Sequence, residues 1–126
     1  MKKRIDGDSG VAPLGPYSPA VQADSLIFVS GQIPLDPNSG EVIQGPIQDQ
    51  VRQVLDNVGI LLAAAGSSLD RALKCTVYLT NLEEFDAMNE VYASYFERAI
   101  PPARTTVEVS NLPKGVRVEI DVIAEV

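Results

Sequence analysis

Arg104 and Glu119 are the residues whose types and spacing first suggest chemistry. Residues 104–109 and 116–122 alternate polar and apolar, and Asn111 to Gly115 between them read as a turn, so the spacing predicts a β-hairpin. The two-residue period places Arg104, Thr106 and Glu108 on one face of the first strand and Arg117, Glu119 and Asp121 on one face of the second. Pairing the apolar faces joins these into one polar face, with Thr106 opposite Glu119 and Arg104 as a diagonal neighbour at about 7–8 Å. Arginine presents a planar fork of donors suited to a carboxylate, and a glutamate within reach can orient or deprotonate a water. The same spacing also describes a cross-strand ion pair on a solvated face, worth ~0.2–1 kcal/mol. Polar hairpin faces are common, so spacing alone favours the ion pair.

Other positions carry weaker signals. Ser30-Gly31 at a strand end could offer a hydroxyl and an approachable backbone, although Ser-Gly there is more often a simple turn. Tyr17 could present a phenol from a loop or serve as a half-buried packing residue. Asn89 sits among apolar helical neighbours, where a satisfied structural amide is the commoner outcome. Cys75, between Lys74 and Thr76, reads as a small strand hydrophobe. Tyr92, Tyr95 and Phe96 fall at helical spacing and read as core, not as a stacking platform. No phosphate-binding glycine pattern occurs.

Composition removes most other chemistries. The 126 residues contain no histidine and one cysteine. One chain therefore cannot build a Ser-His-Asp triad, a Cys-His pair or an imidazole metal ligand. A single thiol makes neither an internal disulfide nor a cysteine zinc cluster. Ten basic against seventeen acidic residues give a net charge of -7, which is unfavourable for a nucleic-acid binder. No apolar run is long enough to span a membrane, and Lys2, Lys3 and Arg4 are followed by Asp6, Gly7 and Asp8 where a signal peptide would need an apolar stretch. The expected location is the cytoplasm, and the expected organisation is one domain over residues 1–126.

The elements that must position the candidates follow from the pattern. Residues 1–10 are polar and read as a loose arm, and Gly15-Pro16-Tyr17-Ser18-Pro19 as a proline-stiffened loop. Ser25 to Ser30 is a short strand, and Asp36 to Gly40 a turn. A helix begins near Gly45-Pro46, with Ile47, Val51, Val54, Leu55, Val58, Leu61 and Leu62 on one face and Gly66 as its stop. Leu73 to Leu79 is a strand; Asn81 then caps a helix, with Glu84 placed to return the bond and Phe85, Met88, Tyr92, Tyr95 and Phe96 as its apolar face. Strands, helix, strand, helix and strands make an α+β layer with two helices on one sheet face.

Several stretches together are recognisable. They are Gly15-Pro16-Tyr17-Ser18-Pro19-Ala20-Val21, Val29-Ser30-Gly31-Gln32-Ile33-Pro34, Asp36 to Gly40, Gln50 to Asn57 and Ala64-Ala65-Gly66. Thr76-Val77-Tyr78-Leu79, Phe85 with Met88 to Tyr92, Pro102-Ala103-Arg104-Thr105-Thr106-Val107, Leu112-Pro113 and Val118-Glu119-Ile120 complete the set. Over roughly residues 11–124 the sequence resembles the Rid family (also called the YjgF or endoribonuclease L-PSP family), in particular its enamine/imine deaminases.

The resemblance implies a chorismate-mutase-like α+β fold with two helices packed on a mostly antiparallel sheet. It also implies a homotrimer with a central sheet barrel and active sites between subunits. The implied activity is hydrolysis of 2-aminoacrylate, 2-iminobutyrate and similar 2-imino acids to 2-oxo acids and ammonia. No cofactor or metal is implied, and the substrates would come from pyridoxal-phosphate-dependent dehydratases. Arg104 matches the family's carboxylate-binding arginine and Glu119 its water-associated glutamate; Tyr17, Ser30, Gly31, Asn89 and Thr106 match pocket positions. Thr106 stands where some deaminases have cysteine, so a reactive thiolate is not expected there, and Asn111 departs from the usual residues before Leu-Pro. A metabolite-binding regulatory trimer without turnover is the alternative from another class. An RNA-cleaving translation inhibitor, claimed for some members, fits poorly with the acidic charge and the missing histidine.

Overall fold

The computed structural model describes residues 1–7 and 12–126. Six strands form one sheet: β1 (Lys2–Ile5), β2 (Ala20–Ala23), β3 (Leu26–Gln32), β4 (Ala72–Leu79), β5 (Ala103–Glu108) and β6 (Val118–Glu125). Their spatial order is β1-β2-β3-β6-β4-β5, antiparallel throughout except that β4 and β5 run parallel. Two helices, α1 (Ile47–Ala64) and α2 (Phe85–Tyr95), cover one face. This is the expected α+β layer.

Alternation along the central strands supplies the core. Ile27 and Val29 of β3, Cys75, Val77 and Leu79 of β4, and Val118, Ile120 and Val122 of β6 are buried on the helix side. They meet Val51, Val54, Leu55, Val58 and Leu62 of α1 and Met88, Val91 and Tyr92 of α2. Each such side chain contributes ~1.5–3 kcal/mol over its exposed state, far more than the helix propensities contribute. α1 ends as its glycine predicts. Gly66 adopts φ +79, its amide bonds Ala63 O at 3.0 Å and the Ser67 amide bonds Leu62 O at 2.8 Å, the paired bonds of a Schellman stop.

Three sequence expectations are corrected and one strand is added. The first is the terminal hairpin. β5 and β6 are not partners, because β4 lies between them, pairing Cys75 with Arg104 on one side and Tyr78 with Glu119 on the other. A helix joins β4 to β5, and a crossover of that kind returns the chain parallel to the strand it left. The chain then passes over the end of β4, with Val116 buried in a small cluster with Ile33 and Leu35, before β6 enters between β3 and β4. Alternation identified both strands and their faces, but alternation does not choose a partner.

The second correction concerns the arm: Lys2–Ile5 is an edge strand paired with β2, while residues 8–10 lie outside the described residues. Third, β2 itself was not read from the sequence. It forms a tight hairpin with β3 through Asp24 at φ 53. Fourth, Asn81 does act as a cap, accepting from the Glu83 amide at 3.0 Å, but for a short 3-10 turn that precedes α2. Glu84 does not return that bond; it pairs with Arg117 at 3.0 Å.

Candidate active site

The missing hairpin separates the predicted polar face into two groups. Arg104 and Thr106 align with Cys75 and Val77, whose side chains are buried under the helices, so they point to the helix side at the β5 edge. Glu119 and Asp121 alternate with the buried Val118, Ile120 and Val122 and lie on the open side. Glu108 and Arg117 serve the scaffold: Glu108 accepts from the Leu82 amide at 2.8 Å, and Arg117 also donates to Gly45 O at 2.7 Å. Arg104 and Glu119 are thus not diagonal neighbours. They stand two strands apart, roughly 10 Å across the sheet, and three residues or roughly 10 Å along it.

The open-side group is built on a bulge. Between Val29 and Gln32, β3 advances three residues while β6 advances only from Val122 to Ile120. Ser30 and Gly31 occupy the irregularity, which lets the backbone swing over Glu119. A Cβ at Gly31 would overlap the Glu119 carboxylate, so the contact requires glycine for space. The Ser30 hydroxyl donates to Ser18 O at 2.7 Å and its amide to Pro19 O at 2.9 Å, stitching the proline loop to the bulge. That loop carries Tyr17, whose phenol oxygen accepts from the Leu14 amide at 3.2 Å. Leu14, Tyr17, Ser30, Gly31, Ile33, Pro113 and Glu119 line one recess of about 350 Å³, a size suited to a small metabolite. Burial pushes the Glu119 carboxyl above its ordinary value of 4.5, and the Asp121 charge adds to the shift. Tyr78 donates to Asp121 at 3.1 Å, while Glu119 has no hydrogen-bond partner among the described residues.

The helix-side group centres on Arg104. Its guanidinium lies over the Tyr92 ring at 4.7 Å and the Phe85 ring at 5.6 Å, and Nη1 approaches Met88 Sδ at 3.9 Å. Asn89, half-buried, is four residues from Phe85 and three from Tyr92, which places it on that side of α2. Thr106 Oγ1 is buried without a partner. No carboxylate among the described residues pairs with Arg104. Cys75, beneath Arg104, is a buried thiol whose pKa burial raises, an unreactive position.

Sequence reasoning missed the apolar lining, Leu14, Ile33 and Pro113, and it missed the aromatic seat of Arg104. Phe85, Met88 and Tyr92 were identified as an apolar face, and only the position of β5 reveals that part of this face meets a cation. Asn111 is exposed and absent from the recess lining, where Pro113 stands instead. Among the described residues no three acidic or cysteine side chains converge as a metal site would require, and no helix is long and apolar enough to cross a membrane.

The sequence and the fold have counterparts. Residues 8–126 match the family model described as Endoribonuclease L-PSP. The chain is 51% identical over 124 residues to the RutC family protein PH0854 of Pyrococcus horikoshii, covering 98% of each. It is 42% identical to the 2-iminobutanoate/2-iminopropanoate deaminase of Mus musculus, covering 98% of this chain and 91% of that one. The Rid-family protein YyfA of Yersinia pestis superposes with a TM-score of 0.97 at 43% identity over all of both chains. The chain belongs to the Rid (RutC, endoribonuclease L-PSP) family.

Proposed function

We propose that the protein hydrolyses reactive 2-imino acids and their enamine tautomers to 2-oxo acids and ammonia. One observation carries this reading. Arg104 and Glu119 are both half-buried, and neither has an oxygen or nitrogen partner among the described residues. A charge held partly out of water without a partner is costly to keep, and such groups mark sites where a ligand completes them. An arginine fork fits the substrate carboxylate. A glutamate shifted upward by burial can take a proton from water and later give it up.

Atoms balance without any further group. Water, oriented by Glu119, adds to C2 of the imine and leaves a carbinolamine. The proton taken by Glu119 passes to the nitrogen; the carbinolamine hydroxyl proton then follows through the same carboxylate, the C–N bond breaks as the C=O bond forms, and ammonia and the 2-oxo acid leave. Orientation and a general base worth about 10²–10⁴-fold suffice for a carbon that is already electrophilic. Enzymes that release aminoacrylate or iminobutyrate, the pyridoxal-phosphate-dependent dehydratases, would supply the substrate. The deaminase name of the mouse relative supports the same reading.

Arg104 and Glu119 face opposite sides of one sheet, so one chain does not place both around one small molecule. We propose that the site is completed in a homotrimer, with Arg104 of one subunit near Glu119 of the next. The open sheet face leaves room for assembly, because no helix covers it and Phe28 and Val107 are exposed there. The test is complementation. Arg104→Ala and Glu119→Ala should each cut the acceleration of keto-acid release by about 10²-fold or more, leaving a measurable residue, in an assay coupled to a threonine dehydratase. Trimers formed by co-refolding the two variants should recover part of it, at about three times the 13.5 kDa chain mass by light scattering. Arg104→Ala matching wild type would sink the deaminase reading. Two impaired variants without recovery on mixing would sink the shared site.

A further inference from the structure

Arg104 is held by carbon and sulfur where the other paired arginines are held by carboxylates. Arg4, Arg52 and Arg117 each pair with an aspartate or glutamate. Arg104 instead rests on Tyr92, Phe85 and Met88, which α2 presents at steps of three and four residues. The difference has a chemical consequence. A carboxylate partner would orient the guanidinium equally well, but it would neutralise the charge and occupy the in-plane N–H donors. An aromatic face takes the flat side of the ion and leaves the donor edge open.

Tyr92 is itself held firmly. It is 7% exposed, and its ring packs against Phe96 with centroids 4.6 Å apart. Its hydroxyl ends in the core beside the Cys75 thiol without a hydrogen bond of good geometry, and burial raises its pKa and keeps it neutral. The hydroxyl faces the core and the Cys75 sulfur, away from Arg104, and what the position supplies to the guanidinium is the ring. Phe85, half-buried at the start of α2, provides the second wall.

We propose that Tyr92 and Phe85 are positioning residues: their ring faces orient the Arg104 guanidinium by cation–π stacking and keep its donor edge free for a carboxylate ligand. The proposal rests on Arg104 being the carboxylate clamp. Three variants of the full chain, Tyr92→Phe, Tyr92→Leu and Phe85→Leu, are compared by calorimetric titration with 2-oxobutyrate and by steady-state kinetics, with melting temperatures recorded in parallel. Tyr92→Phe should bind 2-oxobutyrate within about twofold of wild type, because the stacking face is retained. Tyr92→Leu and Phe85→Leu should each weaken binding by about 2- to 30-fold, the span of a partly to fully desolvated cation–π contact. The loss should appear in KM with kcat largely kept, and should vanish in an Arg104→Ala background.

A role in packing alone would lower melting temperatures in both backgrounds and leave the affinity of folded protein unchanged. Folded Phe85→Leu binding as wild type would overturn the proposal even if Tyr92→Leu does not fold. So would Tyr92→Phe losing as much affinity as Tyr92→Leu, since that result assigns the effect to the hydroxyl. If Arg104→Ala binds 2-oxobutyrate like wild type, or wild type binds none, the clamp itself fails and the cradle with it. Binding lost in Arg104→Ala but intact in both leucine variants removes the cradle only.

Discussion

Replacing Gly31 with alanine tests whether the Glu119 carboxylate must lie where the bulge places it. The added Cβ would stand 2.8 Å from Glu119 Cδ and 3.1 Å from Cγ, where ordinary contact begins near 3.4 Å. The carboxyl carbon must therefore withdraw by at least the difference, about 0.6 Å, and the nearer oxygen by more. Glu119 is the flexible end of a side chain on an open face, so it can rotate away. The stability cost should fall at or below the low end of ~1–3 kcal/mol for overpacking. Catalysis has no such tolerance. Misplacement of a reacting group on the order of 1 Å costs about 10²-fold, within the 10²–10⁴-fold that a general base supplies. We expect kcat/KM of Gly31→Ala in the dehydratase-coupled assay to drop about 10²-fold, or about 2.7 kcal/mol of transition-state stabilisation. The melting temperature should change by only a few degrees. In a Glu119→Ala background the same substitution should cost nothing further, because the group it displaces is gone. Activity held within about threefold, or an equal further loss in the Glu119→Ala background, would refute the reasoning.

Further expectations follow from two named groups. Within one chain Glu119 is raised by burial first and by Asp121 second, while Arg104 of the next subunit in the proposed trimer acts against that shift, so kcat/KM should rise with pH through an acid limb that carries both influences. Asp121→Asn should move that limb to lower pH, and an unmoved limb argues against Glu119 as the titrating base. The folded chain holds this proton more tightly than the unfolded chain. Wild type should therefore lose stability relative to Glu119→Gln as pH rises from the ordinary carboxylate value through the raised one, read by urea titration at each pH. Asn57 is buried in α1 and donates to Leu35 O at 2.9 Å and Ile33 O at 3.4 Å. Asn57→Ala leaves the Leu35 carbonyl without its donor and should cost ~1–3 kcal/mol, seen as a lower urea midpoint at unchanged slope. A change under about 0.5 kcal/mol would mean that water replaces the amide.

Much of the scaffold was legible because its signals are local. The apolar steps from Ile47 to Leu62, the glycine at position 66, the strand at Leu73 to Leu79 and the alternation in both terminal strands each depend on residues within one or two turns of one another. β1 and β2 were not legible for the same reason. Four residues each, with only Ile5 and Val21 as larger apolar side chains, carry too little pattern to read as strands, and they are strands because β3 offers an edge. Asn57 left a faint trace, a polar residue inside an apolar helical stripe, whose purpose depends on carbonyls more than twenty residues away.

The sequence by itself determined the chemistry available: an arginine, a glutamate, hydroxyls and backbone groups, with no imidazole and one thiol. It also determined which faces of each element are apolar, since side-chain period follows from backbone geometry alone. Only the tertiary structure decided which strands meet. With β4 between β5 and β6, Arg104 lies under α2 on an aromatic seat while Glu119 lies on the open face beneath Gly31. A strand's period is a property of its own residues, whereas its partner is chosen by how all layers bury their apolar faces together. The pair that spacing placed side by side is therefore set on opposite sides of the sheet.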